Sequence, residues 1–93
     1  IVNVTNPGGS QKVYTVVGNI CETDTFGADR KISEIREGDI LALKNAGAYG
    51  YSMASTFNSR LKPAEVMVKS GKAHLIRQRD TFEDLVRGQI EID

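Results

Sequence analysis

Two phenols stand two positions apart in the stretch from Ala46 to Arg60, spelled A-G-A-Y-G-Y-S-M-A-S-T-F-N-S-R. Gly47 and Ala48 precede Tyr49, Gly50 separates it from Tyr51, and Ser52 follows. Small residues let a ligand or another chain come close to the backbone, and glycine also admits positive φ. A phenol in such a place can donate a hydrogen bond and lay its ring against a planar group. The same stretch also reads as a Gly-rich turn whose aromatics pack into a core. A second group, Cys21-Glu22-Thr23-Asp24, sets a thiol beside two carboxylates. A thiol is small, polarisable and able to carry a proton, and a carboxylate can pair with an ammonium group. Its plainer alternative is a core cysteine with solvated loop acids. His74 is the only histidine and reads as a strand residue; without a cysteine–histidine cluster no metal site is expected.

A chain of 93 residues holds one domain and one modest core. With 12 basic and 12 acidic residues the net charge is +0, so no basic field invites nucleic acid or an anionic membrane. No apolar run approaches the ~18 residues of a membrane span. One cysteine cannot make an internal disulfide, which suits a reducing compartment, so a cytoplasmic location is expected. The chain starts at Ile1 without a methionine, which suggests a processed chain or an excised piece.

The elements that must position these residues are short. Ile1 to Thr5 alternates as a strand, Asn6 to Ser10 turns, and Lys12 to Val17 is a β-branched strand. There Val13, Thr15 and Val17 share one face, Tyr14 and Val16 the other. Cys21 to Gly27 reads as a loop, and Lys31 to Ile35 as either strand or turn. Ile40 to Leu43 reads as a buried strand, and a short helix is expected at Ser52 to Thr56. A hairpin starts at Pro63, turns at Lys69-Ser70-Gly71-Lys72 and returns through Ala73 to Arg77. Arg77, Arg79 and Asp80 read as a solvated rim. Thr81 with Asp84 spells a capping box for a helix to Arg87, stopped by Gly88. The tail Gln89 to Asp93 is frayed or a short strand. Short strands punctuated by turns give an all-β fold with minor short helices, closed as a barrel or packed as a sandwich, over one domain at 1–93.

Three runs then match a known family in order and spacing. They are C-E-T-D-T-F-G, then G-D-I-L-A-L-K-N-A-G-A-Y-G-Y-S-M-A-S-T-F-N-S-R-L-K-P-A-E-V-M-V, then L-I-R-Q-R-D-T-F-E-D-L. Together they resemble the C-terminal β-domain of the diaminopimelate decarboxylases, pyridoxal-phosphate enzymes of the alanine-racemase-like, fold-type III group. The resemblance covers about residues 11 to 87. It implies a β-barrel or Greek-key-like C-terminal domain whose partner, a (β/α)8 barrel carrying the cofactor lysine, is absent from this chain. A barrel needs roughly 200 residues or more, and none of the lysines here lies in a match to the family's lysine motif.

The resemblance further implies decarboxylation of meso-diaminopimelate to L-lysine in a homodimer whose active sites are shared between subunits. Cys21 would reach across the two-fold axis to cofactor and substrate. Glu22 would face the substrate's distal ammonium. Tyr49 would close over pyridoxal 5'-phosphate and substrate in its own subunit. The family commonly spells C-E-S-x-D, whereas Asp24 stands one position nearer the cysteine, so no role passes to Asp24. Tyr51 reads as packing. Two alternatives stand beside this: a same-fold decarboxylase acting on ornithine, arginine or carboxynorspermidine, and a non-catalytic interaction module. Tyr49, Tyr51, Met53 and Phe57 lie within nine residues, so an apolar patch is expected where the barrel would dock.

Overall fold

The computed structural model describes residues 1–20 and 24–93. They fall into two compact units, Ile1–Ala46 and Gly47–Asp93. Strands predominate, with two short helices, as an all-β chain should show. The strands form three antiparallel two-stranded ladders.

In the first unit β1 (Val2–Asn3) pairs with β4 (Leu41–Ala42), and β2 (Gln11–Val17) with β3 (Thr25–Ser33). β2 behaves as its alternation predicts: Tyr14 and Val16 are half-buried, while Val13 and Val17 stay exposed. β3 corrects the sequence reading, because Thr25 to Gly27 is strand rather than loop and Lys31 to Ser33 resolves as strand. The cause of the misreading is a bulge. Tyr14 faces Arg30 and Val16 faces Gly27, so Ala28 and Asp29 together oppose Thr15. Asp29 takes φ 52°, and its amide donates to Thr15 Oγ1 at 3.2 Å. An extra residue in a bulge breaks the alternation that marks a strand.

β4 is a second correction. Ile40 and Leu43, expected to be buried, are 65% and 41% exposed, and the strand is only two residues long. The centre of this unit is instead polar: among the described residues Ile32 is its one buried apolar side chain, beside buried Asn3 and Ser33. Asn3 Nδ2 donates to Glu34 O and to Asp39 Oδ2, both at 3.0 Å, and Asn3 Oδ1 accepts from the Asn6 amide at 3.0 Å. Ser33 Oγ accepts from the Gly9 amide at 2.7 Å and donates to Asn6 O. Tyr14 Oη accepts from the Ile35 amide at 2.8 Å. Side chains thus satisfy backbone groups of the two connections around Asn6–Gly9 and Glu34–Ile35 that no ladder reaches.

The Arg36 amide, and after it the Asn3 carboxamide, hold the Asp39 carboxyl below its usual range. The Lys12 ammonium does the same for Glu34. A depressed folded-state pKa contributes stability above the unfolded value and loses it as pH falls through the folded one. We expect Asp39→Asn to be less stable at neutral pH yet to lose less stability on acidification below about pH 4. Thermal melts across that window check this; parallel acid limbs in both proteins would refute it.

In the second unit β5 (Glu65–Lys69) and β6 (Lys72–Arg77) make the expected hairpin. Ser70 and Gly71 turn it with φ 52° and 73°, the two positive values a type I′ turn needs. The register shifts between Glu65 and Val66, so Ile76 bulges while Glu65 comes opposite Arg77. α2 (Phe82–Val86) starts as its capping box predicts: Asp84 Oδ2 accepts from the Thr81 amide at 2.7 Å. Gly88 follows it at φ 87°. Gln89 to Asp93 forms no strand.

No residue of this unit is fully buried. Val66, Val68 and Leu75 share one face of the hairpin and are 55%, 74% and 62% exposed. Met67 on the opposite face is also exposed. A two-stranded hairpin is marginal in water by itself, and apolar side chains open on both faces belong against a further surface.

Candidate functional site

The A-G-A-Y-G-Y stretch folds as a tight turn into a four-residue helix, α1 (Tyr49–Ser52). It lies three residues before the expected Ser52 to Thr56 segment, which corrects that reading. Gly47 supplies the turn with φ 56°, a conformation side chains resist. The helix closes through Ser52 N to Ala48 O at 3.0 Å and Met53 N to Tyr49 O at 3.1 Å. Beyond it Asn58 and Ser59 take φ 57° and 58° inside a 3-10 turn at Phe57–Ser59.

Tyr49 opens this helix and is 70% exposed. Its side chain is therefore presented outward from a glycine-flanked backbone. Met53 and Phe57 are exposed as well. Tyr51 differs: it is half-buried, with the Arg77 guanidinium 4.5 Å from its ring centroid and the Lys62 ammonium 5.7 Å away. Arg77 in turn bonds Glu65 through Nε. That bond, and after it the nearby Tyr51, raises the Arg77 pKa further above its already basic value. Arg77 stays exposed, as a rim residue should, but it is engaged with Glu65 and Tyr51 rather than free in solvent. Asp80 is also engaged, accepting from the Lys62 amide at 3.2 Å. His74 lies exposed opposite Met67, a surface strand histidine.

Cys21 and Glu22 lie outside the described residues. On either side of them Gly18 and Asp24 are tied, the Gly18 amide donating to Asp24 O at 2.7 Å. A Cβ on Gly18 would stand 2.5 Å from Asp24 Oδ2, so a side chain here would push the Asp24 carboxylate aside. Among the described residues no three His, Cys, Asp or Glu side chains gather as a metal site, and no helix is long and apolar enough to cross a membrane.

Residues 1–47 match the family described as the pyridoxal-dependent decarboxylase C-terminal sheet domain. The chain belongs to this family. Its sheet-domain sequence is 57% identical over 75 residues to a diaminopimelate decarboxylase of Methanothermobacter thermautotrophicus, covering 80% of this chain and 18% of that protein. It is 41% identical over 93 residues to the diaminopimelate decarboxylase of Zymomonas mobilis, covering 99% of this chain and 22% of the relative. The sheet domain also superposes on the crystal structure of diaminopimelate decarboxylase from M. jannaschii in complex with L-lysine. There the TM-score is 0.86 at 36% identity, over 98% of this chain and 21% of that one. The chain spans about a fifth of the length of the relatives it matches.

The resemblance read from three motifs is therefore sound at the level of the family. Sequence reasoning missed Arg77 and Glu65 as supports of the tyrosine stretch. The only signal was the basic run Arg77-Gln78-Arg79, which says nothing of an aromatic partner 26 positions upstream.

Proposed function

We propose that this chain is the C-terminal sheet domain of a diaminopimelate decarboxylase. The whole enzyme would convert meso-diaminopimelate to L-lysine and CO2 in the cytoplasm. The observation that supports it most is the similarity to enzymes of that name, together with an outward-facing Tyr49 in the matching motif. In this reading residues 1–93 make one domain whose ladders complete a barrel or Greek-key-like sheet in the full protein. The exposed apolar faces of β5 and β6 belong to that completion. The second chain of a homodimer would supply the other half of each active site.

Pyridoxal 5'-phosphate would be held mainly by the preceding (β/α)8 barrel, and when bound it acts as the electron sink for loss of the α-carboxylate. An exposed phenol among glycines fits such a group: the Tyr49 hydroxyl can donate to a phosphate oxygen while its ring excludes water. Cys21 would bring its Sγ proton from the partner subunit to the reacting carbon. The Glu22 carboxylate would pair with the distal ammonium of the substrate and select for it. Asp24 is given no part.

Assaying the full-length protein for lysine release from meso-diaminopimelate, beside ornithine and arginine, tests the substrate. Turnover of ornithine or arginine with none of diaminopimelate would move the enzyme to another branch of the same fold. No turnover with any of the three would favour an interaction module.

A further inference from the structure

We infer that Arg77 and Glu65 are positioning residues for Tyr49, acting through Tyr51. The inference rests on the role proposed for Tyr49 and asks what holds that residue in place. α1 has four residues, no buried side chain, no side-chain cap, and no charge placed to favour its dipole. So short a helix does not persist by its own hydrogen bonds. Tyr51 links it to the rest of the unit, lodged under Arg77 with Lys62 also near the ring. Arg77 stands opposite Glu65 because of the bulge at Ile76, and the Glu65 carboxylate fixes the guanidinium over the ring. Successive helical residues turn about 100°, so Tyr49 and Tyr51 project about 200° apart. Seating Tyr51 inward therefore turns Tyr49 outward, which agrees with their half-buried and 70% exposed states. A planar cation suits an aromatic face better than a neutral side chain of equal length.

The test uses the full-length enzyme and measures pyridoxal-phosphate affinity by titrating the apoenzyme, with kcat and KM beside it. Arg77→Met is expected to weaken cofactor binding about five-fold, the size of one exposed cation–aromatic contact. Tyr51→Leu should do the same, whereas Tyr51→Phe, which keeps the ring, should retain the affinity. In a Tyr49→Ala background Arg77→Met should add no further loss, because the hydroxyl and the ring it positions are both already gone. Equal losses from Arg77→Met in both backgrounds would overturn the inference, leaving Arg77 a hairpin staple. A loss from Tyr49→Ala with none from Arg77→Met would overturn it too, while leaving the role of Tyr49 intact. If Tyr49→Ala itself changes neither affinity nor kinetics, the underlying reading of Tyr49 falls and takes this inference with it.

Discussion

Cys21→Ala in the full-length enzyme is expected to lower kcat by roughly 10²–10⁴-fold, the usual worth of a positioned proton donor. KM should change little, since the thiol would act on the reacting carbon and the substrate would be held by other groups. The shared-site reading makes a sharper forecast. Cys21 would serve the neighbouring subunit's site and Tyr49 its own, so the two residues of one chain would work in different sites. Mixing Cys21→Ala with Tyr49→Phe chains, then refolding or exchanging subunits, would make dimers with one site carrying both lesions and one carrying none. Random pairing of two inactive variants should then restore up to roughly a quarter of the wild-type rate. Activity that stays at the level of the separate variants would place both residues in the same subunit's site, or remove one of them from it.

The second large effect is on stability. Asn3→Ala is expected to destabilise the first unit by about 1–3 kcal/mol, the cost of leaving buried polar groups without partners. Asn3 is 2% exposed and joins β1 to the Glu34 carbonyl, the Asp39 carboxylate and the Asn6 amide. Alanine fills none of these roles, and the Asn6 amide loses its acceptor. Asn3→Asp should also destabilise, but differently, since it sets a second carboxylate against Asp39. Its penalty should shrink on acidification, whereas that of the alanine variant should not. Urea unfolding at neutral and acid pH measures both. Equal midpoints for the wild type and Asn3→Ala would show that water replaces the carboxamide at no cost.

What the sequence revealed of this fold follows from the range of each interaction. The β5–β6 hairpin, its Ser70-Gly71 turn and the Thr81–Asp84 capping box are local, and their spellings announce them. β3 was obscured because its bulge at Ala28 and Asp29 interrupts the two-residue alternation. α1 was displaced toward the C-terminus because Ser52 to Thr56 looked like a helix start. The positive φ of Gly47 and the helix end at Met53 place the helix on the tyrosines instead. Asn3 gave no sign of being a core residue, since its partners lie more than thirty positions on. Of the candidate residues Tyr49 is exposed, and Cys21 with Glu22 lie beyond the described residues.

The long reach of Asn3 also orders the assembly of its unit in time. β2 and β3 meet across a short connection, with Val17 beside Thr25, and such hairpins form within about 1–10 μs. β1 and β4 pair Asn3 with Leu41 across almost the whole unit. Closing a loop roughly five times longer costs about 1.4 kcal/mol more in chain entropy, and only two residue pairs are gained. The β1–β4 ladder therefore closes late, after the β2–β3 hairpin has placed the Glu34 carbonyl for Asn3 to find. A chain relieved of its first five residues would still form the hairpin but would lack the latch that ends the reaction.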